Sequence, residues 1–396
     1  MIAAGAAGGD AVGWDADPMI AWQHFPPLTG STTADVCVVG LGGSGLAAIG
    51  ELLGRGVTVV GLDAGRVAGG AAGRNGGFLL GGPAHAVHEA AALWGEEIAA
   101  DFYRQTLAEI DHLEMLLGDD VIRRVGSLRI AGLPGAAPLP EGVDRGTELA
   151  DCDVQFAFMS AHGLPVQRYD GDLGTGLYFP RDAAMNPVRR AMGLAALYSG
   201  QARLHERTAV TAIAPGRVVT PNGVVSAGAV VVAVDGGLEV LLPQLAGRVR
   251  TARLQMAATA PVPPGLVPCP VYARFGFDYL QQDAVGRIFA GGGRDRFGGG
   301  EWTMGSNTTA EVQGWIDVLI ARIAGVGRIP PPRVTHRWAA SVGYTPDSRP
   351  LVTEVDSRVV ACGGYCGTGN LVGPLAARAA VALALDGTVP PPYFAA

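Results

Sequence analysis

The chain has 396 residues, of which 48% are hydrophobic and 16% charged. It is longer than one hydrophobic core usually supports and too apolar for a disordered protein, so two folded domains are expected. Its formal net charge of −7 argues against nucleic acid as a partner. All 29 Lys+Arg residues are arginine, which excludes a P-loop lysine, a pyridoxal-phosphate Schiff base and a lysine general base.

The five cysteines are odd in number and lack zinc-ligand spacing, which fits a reducing compartment. The N-terminal MIAAGAAGGD lacks the basic residues of a signal peptide. No apolar run free of glycine and charge reaches the ~18 residues of a membrane span. His85 and His88 lie near the start of a predicted helix, but no carboxylate or cysteine clearly completes a metal set. We therefore predict a cytoplasmic protein without a membrane segment or a metal site.

An N-terminal arm, residues 1–32, precedes the most informative stretch of the chain. The apolar run Val36–Val39 predicts a strand buried on both faces, and it leads into the turn Gly-Leu-Gly-Gly-Ser-Gly at residues 40–45. A helix and a second strand follow, and that strand ends at Asp63. This order is typical of a dinucleotide site. The glycines allow a tight turn close to a diphosphate, the helix N-terminus binds that anion, and the acid contacts a ribose hydroxyl.

A second glycine cluster at 69–82 predicts a loop whose backbone is approached closely by something bulky. Residues 132–150 are expected to form an exposed loop, and Asn186 is placed to cap a helix. Helices are predicted over 85–117, 187–198, 310–323 and 374–385, and strands over 127–131, 203–205, 210–213, 217–220, 224–225, 230–234, 251–257, 271–279, 288–290 and 359–361.

Four motifs then occur in order along the chain. They are Phe25–Gly30 before the first strand, Gly73–Gly77 (Gly-Arg-Asn-Gly-Gly), Trp338 with Thr345–Pro350, and the turn Gly363–Gly369. On these motifs the chain resembles the D-amino-acid oxidase/glycine oxidase superfamily of FAD-dependent oxidoreductases. Within that superfamily it is most similar to the gamma-glutamylputrescine oxidase type of amine oxidase.

The resemblance implies an α/β fold that joins a Rossmann-like FAD-binding domain to a discontinuous α+β substrate domain built on an antiparallel sheet. The FAD-binding domain would comprise 33–85, 168–245 and 335–390, and the substrate domain 86–167 and 246–334. FAD would be bound non-covalently. The residues expected to hold it lie in the two glycine loops, at strand ends and in the C-terminal turn: Gly40, Gly42, Gly43, Ser44, Gly45, Asp63, Ala64, Gly73, Arg74, Asn75, Gly76, Val210, Ala233, Gly364, Gly367, Thr368, Gly369 and Asn370.

Two departures from the family pattern bear on the substrate. Leu371 stands where sarcosine-oxidase relatives place a cation for the substrate carboxylate, and the chain has no lysine for oxygen activation. We therefore expect an amine rather than a small α-amino acid as the substrate. The family reaction is hydride transfer from the carbon bearing the amine to flavin N5, and the resulting imine hydrolyses, with molecular oxygen as acceptor. This reaction requires a positioned C–H bond more than a base, so no catalytic residue is named.

The candidates for the substrate pocket are aromatic or cationic: Arg274, Tyr279, Arg294, Trp338, Tyr344 and Tyr365. Two alternative functions stay open at this point. One is an FAD-dependent amine or amino-acid dehydrogenase that passes electrons to an acceptor other than oxygen. The other is an NAD-dependent Rossmann dehydrogenase, which would leave the C-terminal glycine turn without a role.

Overall fold

The structure is a computed structural model that describes residues 12–395. Residues 1–11 of the predicted N-terminal arm lie outside the described residues. The strands are β1 Thr32–Val39, β2 Val59–Leu62, β3 Phe78–Leu79, β4 Ile122–Arg123, β5 Ser127–Ile130, β6 Gln167–Gly171, β7 Gly174–Phe179, β8 Ala183–Met185, β9 Arg203–His205, β10 Ala212–Ala214, β11 Arg217–Thr220, β12 Gly223–Val232, β13 Arg250–Thr259, β14 Val271–Ala273, β15 Asp278–Gln282, β16 Ile288–Gly292, β17 Val334–Tyr344, β18 Leu351–Asp356 and β19 Val359–Gly363. The helices are α1 Gly43–Gly54, α2 Ala71–Arg74, α3 Val87–Trp94, α4 Glu96–Leu117, α5 Arg145–Ala161, α6 Pro187–Tyr198, α7 Leu238–Leu241, α8 Ala310–Val326 and α9 Gly369–Asp386.

The first sheet has eight strands and a parallel core in the order β9–β2–β1–β12–β19. Antiparallel β10 and β11 extend it beside β12, and β18 pairs with β19. The chain passes from β1 through α1 to β2 and later returns to β12 on the other side of β1. The strand order therefore reverses at β1, and open parallel sheets bind ligands outside the carboxyl ends of their strands at such a point.

Strand β1 is buried on both faces, as its apolar run predicts. Val36 and Val38 pack into one core together with residues of α1 and α9. Cys37 and Val39 pack into a second core on the opposite face. Because both faces of the strand are covered, neither carries polar residues at these positions.

The second sheet also has eight strands, in the order β17–β13–β16–β15–β14–β5–β7–β6. Its neighbouring pairs are antiparallel except β14 with β5. Strands β6, β7 and β17 belong to this sheet, although the predicted boundaries group 168–179 and 335–344 with the FAD-binding segments. The division into two domains stays a prediction. A three-stranded sheet, β3–β8–β4, completes the strand pairing described.

Four predicted elements differ from the structure in their bounds or continuity. The single helix expected over 85–117 is wrong, because Gly95 at φ +97° separates α3 from α4. The loop expected over 132–150 ends early, since Asp144 caps α5 by accepting from the backbone of residues 146 and 147. The strand expected over 271–279 is two strands, because Arg274 and Phe275 take positive φ angles of 48° and 56°. Helix α9 begins five residues before its predicted start.

The cap of α6 is confirmed: Asn186 Oδ1 accepts from the Val188 N–H at 2.9 Å. Within the described residues, the segment before β1 packs against the folded chain. Trp14, in a 3₁₀ turn at Gly13–Ala16, is 1% exposed and stacks on Phe289 with a centroid distance of 3.4 Å. Among residues 12–395, none of the helices combines the length and the apolar character needed to span a membrane.

Candidate active site

Four chain segments meet at the carboxyl edge of the first sheet. Gly40 follows β1, Asp63 follows β2, Ala233 follows β12 and Gly364 directly follows β19. All four strands are parallel, so their ends lie on one side of the sheet. The structure thus brings together residues that the sequence separates by more than 300 positions.

The turn after β1 is shaped for close approach of a ligand. A Cβ added at Gly45 would lie 1.8 Å from the Gly40 carbonyl oxygen, so helix and strand require glycine there. Gly40 itself takes φ +99°. Helix α1 begins at Gly43 with no side chain capping its first N–H groups. Free N–H groups at a helix start, together with the helix dipole, form a binding site for an anion.

Asp63 is anchored at the neighbouring strand end. Its Oδ2 accepts from the Leu41 N–H at 2.8 Å, and its Oδ1 accepts from the Gly65 N–H at 2.8 Å. Burial raises the pKa of the Asp63 carboxyl. The Thr208 N–H donates to the Asp63 carbonyl at 2.7 Å, which brings the segment leading to Val210 alongside it. Ala64 is exposed at this end of the cleft.

The C-terminal glycine turn lies beside the first one. Helix α9 packs along α1 so closely that a Cβ at Gly373 would lie 2.4 Å from Ser44 Oγ. Asn370, in the first turn of α9, donates through Nδ2 to Asn75 Oδ1 at 3.0 Å and to the Phe78 carbonyl at 2.8 Å. The two glycine turns and the loop at 74–77 therefore border one cleft.

Asp235 holds the C-terminal turn in place and was missed by the sequence reasoning. Its Oδ1 accepts from the N–H groups of Gly364 at 2.9 Å and Tyr365 at 3.2 Å, and its Oδ2 accepts from Gly343 at 3.1 Å. Burial raises the pKa of this carboxyl to about 6. The sequence did contain a signal for Asp235: like Asp63, it is an acid that follows a buried apolar strand, at the same edge of the sheet.

The loop after α2 is fixed through three successive carbonyl groups. The Trp338 indole N–H donates to the Arg74 carbonyl at 2.8 Å, and the Trp14 indole N–H donates to the Asn75 carbonyl at 2.9 Å. Gln281 donates to the Gly76 carbonyl. The second sheet and the N-terminal segment thereby fix the orientation of these peptide groups, so the loop is preorganised. No sequence pattern singled out Trp14 for this position.

A cavity of about 530 Å³ lies between this loop, the C-terminal turn and the second sheet. That volume is within the range of small-molecule sites. Of the predicted cofactor residues, Arg74, Asn75, Gly76, Gly367, Thr368 and Asn370 line it, and of the predicted pocket residues, Tyr279, Arg294 and Tyr344 do. The sequence reasoning missed several polar or aromatic wall residues, among them Tyr103, Arg129 and Tyr272.

The other three predicted pocket residues do not line the cavity. Arg274 is 7% exposed and ion-paired with Asp278 and Asp295. Trp338 is fully buried behind the loop, where it makes the hydrogen bond described above. Tyr365 is 4% exposed and packs between the two glycine turns, against Gly369.

Three arginines, Arg74, Arg129 and Arg294, line the cavity. The Arg294 guanidinium lies over the rings of Tyr344, Trp302 and Phe277, at 4.5, 5.2 and 5.7 Å from their centroids. Within the described chain, no carboxylate oxygen lies within ion-pair distance of it. Arg129, in contrast, is paired with Asp151 at 2.5 Å. Arg294 is therefore a cavity cation available to an anionic group of a ligand.

His88, Glu89 and Asp151 lie close enough together to share a cation. Each acid already has a cationic or potentially cationic partner, however. Asp151 pairs with Arg129, and His85 Nδ1 lies 3.6 Å from a Glu89 oxygen, which lowers the pKa of Glu89. Both acids of the cluster therefore have other partners, and the absence of a metal site stays a prediction.

Comparison with known proteins identifies the family. The family model described as "DAO: FAD dependent oxidoreductase" matches residues 35–383. The chain belongs to the DAO family of FAD-dependent oxidoreductases. An NAD-dependent Rossmann dehydrogenase is thereby set aside, and the prediction of an FAD-dependent oxidoreductase of the amino-acid or amine oxidase type is confirmed.

Two curated relatives of this DAO-family protein extend over most of both chains. A probable oxidoreductase OrdL of Rhizobium meliloti (strain 1021) is 27% identical over 91% of this chain and 85% of its own length. The gamma-glutamylputrescine oxidoreductase of Escherichia coli (strain K12) is 26% identical over 90% and 85%.

Solved structures confirm the fold. An L-proline dehydrogenase from P. horikoshii superposes with a TM-score of 0.72, at 18% identity over 92% of this chain and 96% of its own. A glycine oxidase from Geobacillus kaustophilus gives a TM-score of 0.70, at 19% identity over 89% and 95%.

The cleft of this DAO-family chain fits FAD on its own geometry. In the first glycine turn, a Cβ would lie 2.7 Å from a backbone carbonyl oxygen at Gly40 and 1.8 Å from one at Gly45, so both positions require glycine, as expected of a backbone that cradles a diphosphate. Arg190 lies beside that turn, is 2% exposed, and has two nitrogens without a hydrogen-bond partner in the described structure. A buried cation next to a free helix N-terminus suits an anionic ligand.

Proposed function

We propose that this protein uses FAD to oxidise the C–N bond of an amine to an imine, which then hydrolyses, with molecular oxygen as the electron acceptor. The observation that carries the proposal is the cavity: its wall combines the fixed loop at 74–76 and the C-terminal turn with aromatic residues of the second sheet. A substrate held there would lie between the cofactor loop and those aromatic side chains.

In this proposal, FAD lies along the carboxyl edge of the first sheet without a covalent bond to the protein. The diphosphate is held by the N-terminus of α1, and the ribose by Asp63. The loop at 74–76 would hold the flavin end, and the N-terminus of α9 would stabilise negative charge on the reduced flavin. The full set proposed to contact FAD is Gly40, Gly42, Gly43, Ser44, Gly45, Asp63, Ala64, Gly73, Arg74, Asn75, Gly76, Val210, Ala233, Gly364, Gly367, Thr368, Gly369 and Asn370.

Bound FAD would supply the two-electron acceptor for this oxidation. The protein contributes orientation. The Tyr279 ring lies 3.2 Å from the position that a Cβ at Gly76 would occupy, so it packs directly over the cofactor loop. Tyr344 lies under Arg294 in the same wall. These rings restrict how a small amine can present its C–H bond and exclude water from that position.

The cavity offers no dedicated base. Among the described lining residues, Glu89 is the only carboxylate, and it lies beside His85. We therefore propose that the amine reacts in its neutral form after losing its proton to solvent. No residue of this chain is assigned proton abstraction.

Arg294 indicates which amines fit best. A half-buried guanidinium without a carboxylate partner favours substrates that carry an acidic group some distance from the amine. The relative from Escherichia coli named gamma-glutamylputrescine oxidoreductase is consistent with an amine substrate of this kind. A small α-amino acid would bind less well, because Leu371 lines the cavity at the position where sarcosine-oxidase relatives place a cation for the substrate carboxylate.

The test is an anaerobic titration of the purified, flavin-containing protein with a panel of amines and amino acids. We expect loss of flavin absorbance with amines that carry a distal acid, and little with glycine. If no amine or amino acid reduces the flavin, the proposed reaction is wrong. Admitting oxygen to the reduced protein then decides the acceptor: rapid reoxidation with peroxide supports an oxidase. Slow reoxidation that an added quinone accelerates supports the FAD-dependent dehydrogenase instead.

A further inference from the structure

Arg190 occupies an unusual position beneath the first glycine turn. It lies in the first turn of α6, a helix that packs against α1 and α2. Its side chain is 2% exposed. A Cβ added at Gly43, the first residue of α1, would lie 3.4 Å from both terminal nitrogens of the guanidinium. The cation therefore lies directly against the N-terminus of α1.

Within the described residues this charge is not neutralised. No carboxylate oxygen lies within ion-pair distance of Arg190, and its Nε and Nη2 have no hydrogen-bond partner. Glu109 raises its pKa through space, but Glu109 is itself ion-paired with Arg378. Burial lowers the pKa of Arg190 to about 10, so the group stays charged at neutral pH. A buried charge without a partner is strongly destabilising.

Among residues 12–395, the guanidinium makes one hydrogen bond, and that bond points toward the same cleft. Arg190 Nη1 donates to Asn370 Oδ1 at 3.2 Å, and Asn370 lies in the first turn of α9. The remaining donors are thus located between the two glycine turns. Two independent features therefore favour binding of an anion at this place: a buried cation with unsatisfied donors, and a helix N-terminus without a side-chain cap.

We propose that Arg190 is an FAD-binding residue whose guanidinium contacts the diphosphate together with the N–H groups at the start of α1. The inference rests on the proposed placement of FAD in this cleft. It explains why a charge is kept in an otherwise apolar helix interface. The diphosphate supplies the negative charge that the protein itself does not place there.

The neighbouring Arg189 offers a matched control. It lies on the same helix but points outward, and it pairs with Asp120 at 2.5 Å. Arg190→Leu and Arg189→Leu therefore make the same chemical change at a buried, unpartnered site and at a surface ion pair. The full-length chain is stripped of FAD, and binding of FAD and of ADP is measured separately by titration calorimetry. ADP carries the diphosphate but no flavin.

We expect Arg190→Leu to weaken binding of FAD and of ADP alike by roughly 10- to 100-fold, the worth of a charge-assisted hydrogen bond. Arg189→Leu is expected to change either affinity by less than about threefold. The stripped Arg190→Leu chain should unfold at a temperature no lower than the stripped parent, because removing an uncompensated buried charge is not destabilising. Arg190→Lys, which keeps the charge, should recover part of both affinities.

Three results would overturn the proposal. The first is unchanged affinity of Arg190→Leu for FAD and ADP, which would leave Arg190 only its bond to Asn370. The second is weakened FAD binding with normal ADP binding, which would place the contact at the flavin end. The third is a loss of FAD and ADP affinity in Arg190→Lys as large as in Arg190→Leu, together with a lower unfolding temperature of the stripped chain, which would indicate a purely structural role. Arg190→Gln takes the place of the leucine variant if that variant does not fold. None of these readouts depends on turnover, so a failure of the proposed amine oxidation is recognised separately.

Discussion

The buried carboxyl of Asp182 predicts an unusual dependence of stability on pH. Asp182 is 2% exposed and lies just behind the cavity wall, where its Oδ1 accepts from the Gly81 N–H at 2.9 Å. Its Oδ2 accepts from the Ser127 hydroxyl at 2.6 Å. Burial outweighs these bonds and raises the pKa of Asp182 from 3.8 to about 7.

The sign follows from proton counting. Between pH 4 and 7 the folded protein keeps a proton on Asp182 that the unfolded chain has lost, so the free energy of unfolding falls as the pH rises through this window. A shift of one pKa unit corresponds to about 1.4 kcal/mol, and the interval from 3.8 to about 7 therefore gives an upper limit on the order of 4 kcal/mol. The stabilisation of the folded protein by this proton is greatest below about pH 4 and is lost by about pH 8.

Asp182→Asn removes the titration and keeps a side-chain acceptor for Gly81. We expect its free energy of unfolding, relative to the parent protein, to rise by 2–4 kcal/mol between pH 4 and pH 8. Urea unfolding at several pH values measures the difference directly. Asp119→Asn, at an exposed position, is the control and should show no such trend. A difference between Asp182→Asn and parent that does not vary with pH would refute the reasoning.

Three further predictions follow from the site. Trp14→Phe removes the hydrogen-bond donor to the Asn75 carbonyl while keeping an aromatic ring. We expect the free energy of unfolding, measured in urea, to fall by about 1–3 kcal/mol and the temperature of FAD release to fall with it. An unchanged release temperature would contradict a role of Trp14 in positioning the loop. Gly45→Ala should purify without flavin, whereas Gly54→Ala, in open space, should keep it, as absorbance at 450 nm shows. Arg294→Met should raise the KM for amines with a distal acid about tenfold or more, and the KM for neutral amines much less. Arg296→Met, at an exposed position, is the control. Equal effects of Arg294→Met on both kinds of amine would exclude a role in binding the acid.

The turn after the first strand was predictable from the sequence because its signals are local. The strand Val36–Val39, the glycine turn and the helix that follows are neighbours in the chain, and their order carries the geometry. The same holds for the Asn186 cap and for the C-terminal glycine turn. The errors were also local in origin: Gly95 breaks a continuous apolar pattern, and the positive φ angles at 274 and 275 leave no trace in hydrophobic periodicity.

By itself, the sequence determined the α/β class, the binding edge of the first sheet and the FAD-dependent family, since each depends on residues adjacent in the chain or on ordered motifs. Only the tertiary structure decided which side chains line the cavity. Tyr103 and Arg129 come from segments far from the glycine turns, and their types are equally common in ordinary cores. Packing between distant elements likewise buries Arg190 beside α1 and brings the Trp14 indole into hydrogen-bond distance of the loop. Such packing depends on the whole chain at once, and no short stretch encodes it.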